Sequence, residues 1–470
     1  MTRISWLLLA SALGCSAAKP AVVPAPDAAA DTVVVSQDAS ADVAKSLDAA
    51  ADAVAVDAAG IDTGKADSGA AVDVAAGGDA VVDAVDSAAG AEVTKPLDPC
   101  AAPAQFWTKS HGGPGSDVGS AVTSLPGGVA VVGWTDSKGN GGRDGWLTTF
   151  DGLGSLTADN TYGGDANDEL NAVIATPTGL LAVGSSQTAA KGNRDGWILR
   201  TDGSGATVST LAIGEAADDE LYGVAPTTDG YIAAGYREMA DGALRLWLVK
   251  LSPDGALVWQ TLHGTSGFDA AYDVVSLPDG GAAAVGDTSD GKNAHLWLTR
   301  FDAGGKLVWQ RTFQDAGQDS GWGLLAKLDA AGQLTGFAVA GRRQPQGAAH
   351  GSAWLIETDT AGKAQWQQAY GATAGPSVGY GLVRQISLAP GAGYVVPGEA
   401  TNGAGKSAAL LWQVGASGTS TWAFAGSAGT STRAVAVVDQ QAYVAVGQVD
   451  VGGKPDLWLA RVSVAGKTCP

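Results

Sequence analysis

Five aspartates recur at nearly constant spacing and are the residues of this sequence best suited to bind a ligand. They are Asp117, Asp168, Asp219, Asp269 and Asp319, separated by 51, 51, 50 and 50 residues. Carboxylates held close together ionise easily only beside a cation or good hydrogen-bond donors, and their hard oxygen atoms suit Ca²⁺. The column therefore suggests a cation or ligand site. The alternative, which we expect for a position repeated in most blades, is that each aspartate accepts backbone N–H bonds and holds its own turn.

A second candidate site is the polar segment 136–144, which reads Asp-Ser-Lys-Gly-Asn-Gly-Gly-Arg-Asp. It is loosely similar to a calcium loop but lacks the ligand spacing and the terminal bidentate Glu of an EF-hand. We therefore interpret it as a solvated connector, with calcium binding as the alternative.

Motifs for catalysis are missing from the sequence. The four histidines, His111, His263, His295 and His350, have no metal-ligand spacing, and there is no Gly-x-Ser-x-Gly elbow. His111 and His263 occupy one repeat column that elsewhere holds Tyr162, Ile213, Phe313 and Tyr370, which indicates packing rather than catalysis.

The elements that position these residues follow from an internal repeat. A tryptophan recurs about every 50 residues, and a glycine ends the apolar run before it. The tryptophan column is Trp146, Trp197, Trp247, Trp297, Trp354, Trp412 and Trp458, and a second aromatic column holds Trp107, Trp259, Trp309, Trp366 and Trp422. Both columns are predicted to be core.

Each repeat contains four short apolar or alternating runs separated by turn residues, as in Pro278-Asp279-Gly280-Gly281. Four antiparallel strands per repeat are typical of a propeller blade. The sequence therefore predicts an all-β chain whose residues 100–470 form a seven-bladed β-propeller of four-stranded antiparallel blades.

The repeat resembles the bacterial seven-bladed β-propeller repeat, written roughly as W-x4-GG-x4-D … DGG … VG … D-x-WL … D-x2-G, over residues 106–466. The segments 302–309 and 359–366 are also similar to the tryptophan-docking motif of quinoprotein propellers, and a lipoprotein of the outer-membrane assembly machinery carries a similar motif without catalysis. These resemblances imply blade packing and no particular chemistry. The aspartate column is interrupted in the last two repeats, where we place Pro376 and Ser431.

The two ends of the repeat region are complementary. The last repeat stops at Cys469 without a fourth strand, and the first begins at Phe106-Trp107, which reads as that missing strand. We therefore expect the N-terminal strand to complete the last blade and remove an open sheet edge.

The first fourteen residues are predicted to be a signal peptide, with Arg3 before a short apolar run. Ala12-Leu13-Gly14-Cys15 resembles the lipobox of bacterial lipoproteins, which implies cleavage before Cys15 and its lipidation. An ordinary secretory signal is the alternative. Because Ser16 stands where Asp would retain a Gram-negative lipoprotein in the inner membrane, the resemblance implies export to the outer membrane.

Residues 15–99 repeat Asp-Ala phrases and contain no aromatic residue. Such a segment cannot bury enough apolar surface to offset its ordering entropy, so we predict a disordered linker. With Cys15 lipidated in an exported chain, Cys100 and Cys469 are the remaining thiols, and a disulfide between them is expected. The alternative is two free or intermolecular thiols.

The balance of charge restricts the partners. The chain has 48 acidic and 28 basic residues, a net charge of -20, which excludes a generic nucleic-acid binder. We predict a monomeric binding or scaffold module that is anchored through its lipid and binds a protein or carbohydrate on a propeller face. No cofactor other than Ca²⁺ is suggested. Trp134 and Trp322 stand outside the columns; we expect each to pack in the core, with an exposed contact as the alternative. The enzyme alternative is a hydrolase, lyase or quinoprotein-like activity at the mouth of the central channel.

Overall fold

The computed structural model describes residues 106–189, 193–264, 267–289, 291–314, 317–370, 377–379, 383–384, 393–401, 406–439 and 442–463. All of them belong to one compact unit, Ala88–Pro470. None of the described segments is a helix of the length and apolarity that a membrane span requires. The predicted signal peptide, the linker, Cys15, Cys100, Cys469 and Pro376 lie outside these residues.

The described strands form seven antiparallel sheets, which confirms the predicted seven-bladed propeller. The first strand in sequence, β1, is Thr108–His111. Blade one contains β2 (Asp117–Leu125), β3 (Gly128–Thr135), β4 (Asp144–Asp151) and β5 (Leu156–Tyr162). Blade two contains β6 (Asp168–Thr176), β7 (Gly179–Ser186), β8 (Asp195–Thr201) and β9 (Thr207–Ile213). Blade three contains β10 (Asp219–Thr227), β11 (Gly230–Glu238), β12 (Leu244–Leu251) and β13 (Leu257–His263).

The remaining blades follow the same order. Blade four contains β14 (Asp269–Ser276), β15 (Ala282–Ser289), β16 (Ala294–Phe301) and β17 (Leu307–Phe313). Blade five contains β18 (Ser320–Leu328), β19 (Leu334–Arg343), β20 (Ser352–Thr358) and β21 (Ala364–Tyr370). Blade six contains β22 (Ser377–Gly379), β23 (Val383–Arg384), β24 (Tyr394–Thr401), β25 (Ser407–Val414) and β26 (Ser420–Ala428). Blade seven contains β27 (Thr430–Asp439), β28 (Ala442–Val451) and β29 (Lys454–Ser463).

The ring closes through β1, as predicted from the chain ends. Blade seven has the strand order β27-β28-β29-β1, and β1 pairs antiparallel with β29, Lys109 lying opposite Leu459. Just before β1, Trp107 and Arg461 exchange two backbone hydrogen bonds of 3.2 and 2.7 Å. The N-terminal strand therefore supplies the outermost strand of the last blade, and its pairing with β29 leaves that strand no open edge.

The blades pack through the two columns found in the sequence. All seven residues of the tryptophan column are buried, and in six blades the column residue pairs with the predicted glycine, as Gly286 does with Trp297. Blade six differs, because Gly398 pairs with Leu410, and Trp412 lies two residues further along the strand. The placement of Trp412 in the column was therefore wrong by two residues, although it keeps the side chain on the same face of the strand.

The second tryptophan column packs across the seams between blades. A turn glycine of the next blade lies against the rings of Trp107, Trp259, Trp309 and Trp366. Gly305, with φ of 78°, lies under Trp259. A Cβ added to Gly305 would lie 2.7 Å from that ring. Glycine is required there because the turn needs a positive φ and the indole leaves no room for a side chain.

The first strand of each blade is the innermost. First strands of neighbouring blades contact one another, as β2 does with β6 and with β27, and β10 does with β14. Outer strands such as β13 and β17 carry exposed side chains. The axis of the ring is therefore surrounded by the first strands.

We expect ring closure to depend on the β1 ladder. In an antiparallel pair the residues alternate between hydrogen-bonded and free positions. Because Trp107 exchanges bonds with Arg461, Lys109 occupies a bonded position and Ser110 an outward one. Lys109→Pro should lower the melting temperature by several degrees, since proline removes a ladder donor. Ser110→Pro, the matched control, should lower it much less. Equal effects in differential scanning calorimetry would contradict this role of β1.

Candidate functional site

The five predicted aspartates lie at the start of the innermost strands and are buried, each at most 1% exposed. In three blades the carboxylate accepts the backbone N–H from four residues earlier. These bonds join Gly113 N to Asp117 Oδ2 (2.7 Å), Gly164 N to Asp168 Oδ2 (3.0 Å) and Glu215 N to Asp219 Oδ2 (2.7 Å). The contact explains why the aspartate stands four residues after the N–H donor in these three repeats.

Groups on the second strand, or just after it, also bind these carboxylates. The hydroxyl bonds include Ser137 Oγ to Asp117 (2.6 Å), Thr188 Oγ1 to Asp168 (2.7 Å) and Thr288 Oγ1 to Asp269 (2.6 Å), while Asp319 accepts the N–H of Gln344 at 3.0 Å. Asp219 instead lies 3.6 Å from Arg237 Nε. The aspartates thus hold their own loops, as the alternative interpretation expected.

The structure does not bring the five aspartates together. Each belongs to a separate blade, and among the described residues no three acidic, histidine or cysteine side chains converge so as to hold a metal ion. Cation binding by this column therefore stays a prediction that rests on the sequence spacing alone.

The positions assigned to this column in the last two blades are corrected by the strand register. Gly379 pairs with Gly398 and Thr432 with Gly447, as Gly119 pairs with Gly133. The equivalents of the aspartates are therefore Ser377 and Thr430, each one residue away from the predicted Pro376 and Ser431. Thr430 Oγ1 accepts the N–H of Ala409 at 3.0 Å, so a hydroxyl replaces the carboxylate as an acceptor.

A second acid faces the aspartate at three seams; it is buried at two of them and half-buried at Asp456. These neighbours are Asp144 beside Asp168, Asp195 beside Asp219, and Asp456 beside Asp117. Burial, with the repulsion of the neighbouring carboxylate, raises the pKa of Asp144 and Asp456, and it raises the pKa of Asp219 to about 6. Each pair is an electrostatic cost that the N–H and hydroxyl donors offset.

The other sequence candidates are used in packing. In segment 136–144, Asp136 accepts the N–H of Ser116 and Asp144 accepts that of Asn140, so both carboxylates bind backbone groups. His111 stacks on Trp146 with ring centroids 5.6 Å apart, and His263 stacks on Trp297 with ring centroids 5.4 Å apart. The packing interpretation of their column is confirmed.

Of the two tryptophans outside the columns, Trp134 is buried, with the guanidinium of Arg143 4.0 Å from its ring centroid. Core packing, the role expected for it, is confirmed, and the exposed-contact alternative is excluded. Trp322 is half-buried on an innermost strand.

A column that the sequence analysis missed contains Trp322. In six blades the innermost strand carries a β-bulge at one position, where a single residue is left out of the ladder. The bulged residues are Ser120, Asn171, Tyr222, Tyr272, Trp322 and Arg433. We call this set the bulge column. It stands three residues after each aspartate or its Thr430 equivalent, so its spacing was visible in the sequence, but its residue types differ too much to show as a repeat.

In blades three to five the bulge column is aromatic, and these rings collect polar partners. We call Tyr222, Tyr272, Trp322, Tyr236, Glu220, Arg194, Asp273 and Asp287 the inner-strand cluster. The rings of Tyr222 and Tyr272, on neighbouring blades, have centroids 5.3 Å apart at an interplanar angle of 73°. Tyr236 lies 6.0 Å from Tyr222 at 35°.

Glu220 is the buried acid of this cluster in blade three. Asn171 Nδ2 donates to Glu220 Oε1 at 2.9 Å, and the Arg194 guanidinium lies 3.3 Å from Oε2. Arg194 also donates to the Tyr236 hydroxyl at 2.9 Å. Burial raises the pKa of Glu220, and the positive charge of Arg194 offsets only part of this rise.

Asp273 and Asp287 are the acids of blade four. Asp273 accepts the N–H groups of Val274 and of Leu324 in blade five, both at 2.8 Å. Asp287 accepts the Ser320 hydroxyl at 3.0 Å, the Gly321 N–H at 3.2 Å and the Tyr272 hydroxyl. Burial raises the pKa of each carboxyl to about 7.

Burial in the cluster keeps the tyrosine hydroxyls neutral and raises the pKa of its carboxyl groups. Burial also raises the pKa of Tyr222, Tyr236 and Tyr272 well above the usual value, so all three keep their protons. The arrangement offers ring faces, fixed phenol groups and carboxyls that ionise near neutral pH. These are means of recognising a ligand by stacking and by charge.

We expect Asp273 to make the protein less stable as the pH rises. Its folded pKa of about 7 lies above the ordinary 3.8, so the folded state binds the extra proton and its contribution to stability is lost between about pH 4 and 7. Asp273→Asn cannot ionise, so its melting temperature relative to wild type should rise by several degrees from pH 5 to pH 8.

The matched control is Asp202→Asn, in a solvent-exposed turn where bonds from Ser204 and Ala206 lower the pKa of the carboxyl. That contribution is lost only as the pH falls below the ordinary value, so the offset of Asp202→Asn should stay constant from pH 5 to pH 8. A constant offset for Asp273→Asn as well would contradict the burial of its carboxyl.

Comparisons with known proteins give structural similarity only. No family model matches the chain, and no curated protein matches it. Sqt1 from Chaetomium thermophilum is 16% identical over 74% of this chain and 97% of its own, with a TM-score of 0.42. A protein of unknown function from Dyadobacter fermentans is 10% identical over 75% and 97%, with a TM-score of 0.39. Another from Bacteroides caccae is 12% identical over 53% and 81%, with a TM-score of 0.33. At this level of similarity none of the three bears on function.

Proposed function

We propose that the chain is a lipid-anchored module of the cell envelope, exported to the outer membrane, which binds a ligand or partner through the inner-strand cluster of its propeller. The lipid on Cys15 would attach it to the membrane, and the linker would extend roughly 50 Å from that point. The proposed disulfide between Cys100 and Cys469 would clamp the two ends of the chain that meet at β1.

The observation that supports binding at the cluster is its departure from the repeat. Blades one, two and seven carry Ser120, Asn171 and Arg433 in the bulge column, whereas blades three to five carry Tyr222, Tyr272 and Trp322. Blade packing is already supplied by the two tryptophan columns, and the three aromatic residues remain half-buried. Large aromatic side chains at half-buried inner positions are typical of recognition sites.

Binding fits the polar groups of the cluster better than catalysis does. Within the described residues, Glu220, Asp273 and Asp287 accept hydrogen bonds from fixed protein donors, and the cluster contains no histidine or cysteine. A ligand can still meet the rings without disturbing these bonds.

A second candidate function, hydrolase or lyase activity, is favoured by one contact. Ser320 Oγ donates to Asp287 at 3.0 Å, and the pKa of Asp287 is about 7, which suits a general base at neutral pH. This function predicts turnover that Asp287→Asn abolishes while ligand binding persists.

The anchor is tested by labelling with radioactive palmitate in a Gram-negative host. The wild-type chain should incorporate label and sediment with outer membranes, and Cys15→Ser should do neither, because several acyl chains are needed for stable attachment. Cys100→Ser is the matched control and should keep both properties. Labelling of Cys15→Ser, or loss of label from Cys100→Ser, would contradict lipidation at Cys15.

The binding site is tested by photocrosslinking in intact cells. Benzoylphenylalanine at position 322 should give a discrete adduct, because Trp322 lies in the cluster. The same probe at position 258 is the control, since Val258 is 58% exposed but lies on the outer strand β13. An adduct of equal yield from position 258, or none from position 322, would exclude the cluster as the binding site.

A further inference from the structure

We propose that the inner-strand cluster binds an organic ammonium group, an alkylated or primary amine cation held against the tyrosine rings. This inference rests on the proposed function and names the ligand chemistry of the same site. The cation could come from a small quaternary amine or from a lysine side chain of a protein, which share this chemistry.

The rings have the geometry of a cation site. Tyr222 and Tyr272 are half-buried and meet edge to face, at 73° with centroids 5.3 Å apart, so the ring face that this contact does not cover is what a cation would meet. Tyr236 is buried and packs beside Tyr222, where it supports that ring from behind. An ammonium group within about 6 Å of such ring faces is attracted by their quadrupoles, and several rings around one cation are the usual means of recognising quaternary amines.

The rings are held in place before any ligand arrives. The Tyr236 hydroxyl accepts from Arg194, and the hydroxyls of Tyr222 and Tyr272 bind Glu220 and Asp287. These bonds fix the ring planes across the seam between blades three and four. A ligand therefore loses little affinity to ordering the site.

The charges around the rings favour a cation. Within the described residues neither Asp273 nor Asp287 has an ion pair with a lysine or arginine, since their partners are N–H and hydroxyl groups. Arg194, the basic residue of the cluster, faces two carboxylates, Glu220 at 3.3 Å and Asp218 at 3.8 Å. An incoming cation would thus complete the charge balance, whereas an anion would meet more acids than bases. The net charge of -20 also raises the local concentration of cations.

The same groups make binding depend on pH. Asp287 faces the carboxylate of Asp319 and the Tyr272 phenol, and Asp273 faces the backbone of blade five. Glu220 faces Arg194 and Glu169. Because the pKa values of Asp273 and Asp287 are near 7, a bound cation should favour their ionised forms and release protons.

The experiment is isothermal titration calorimetry of the full chain with three probes: tetramethylammonium, choline and a lysine-containing peptide. Sodium at equal ionic strength is the reference. We expect at least one ammonium probe to bind, with an affinity about tenfold higher at pH 8 than at pH 5.5. Heats measured in two buffers of different ionisation enthalpy should show proton release. Tighter binding of the peptide than of choline would assign the cation to a protein partner, and the reverse would assign it to a small molecule.

Variants separate the rings from the fold. Tyr272→Leu removes one aromatic ring and should weaken binding about tenfold, whereas Tyr272→Phe keeps the ring and should weaken binding much less. Tyr370→Leu is the control, because Tyr370 lies on the outer strand β21 and its hydroxyl donates to Gly418 O at 2.5 Å. Absence of binding by all three probes, or equal losses in Tyr272→Leu and Tyr370→Leu, would overturn the proposal. If position 322 still gives a specific crosslink in that case, the proposed function stands and only the ligand class is wrong.

Discussion

Closure of the ring by β1 is the constraint on which the other features of this molecule depend. The first strands surround an axis only if blade seven meets blade one. There β2 contacts β27, and β1 completes blade seven by pairing with β29. Trp107 also donates from Nε1 to Gly152 O at 3.2 Å, and Arg461 donates to the same oxygen at 2.7 Å, so the closing strand and its partner both hold a turn of blade one. A propeller closed in this way leaves β29 without an open edge.

Regularity at the seams is what permits irregularity at the axis. The buried tryptophan column and the contact of Trp259 with Gly305 repeat with little change, because neighbouring blades must pack at a constant distance. The bulged residue lies outside the ladder, so its side chain can vary without altering the strand pairing. Ser120 and Trp322 occupy equivalent positions on nearly identical strands. The propeller therefore carries its distinctive chemistry at the positions that its packing does not use.

The sequence predicted the fold because the fold depends on the repeated residues. The spacing of tryptophan and glycine gave the blade number, and the incomplete last repeat gave the closing strand. The errors were local: Trp412 stands two residues from the column position held by Leu410, and Ser377 and Thr430, not Pro376 and Ser431, match the aspartates. A periodic pattern cannot locate such shifts, because the hydrogen-bonded register decides them. The inner-strand cluster was missed for a related reason, since its members come from five strands and, with Arg194, from the residue before β8, and only the ring brings Glu220 to Asn171 and Tyr222 to Tyr272.

Two groups of acids in this propeller differ in where their hydrogen-bond donors lie. The column aspartates, such as Asp168, receive N–H and hydroxyl donors from their own blade, and these bonds fix a loop. Asp273 and Asp287 accept bonds from blade five across a seam, beside aromatic rings, and burial brings their pKa values to about 7. A buried acid that gains its charge near neutral pH is costly as a structural element, because ionisation weakens the seam that it joins. A bound ligand of opposite charge would remove this cost, and in the proposed function that ligand lies against the adjoining half-buried rings.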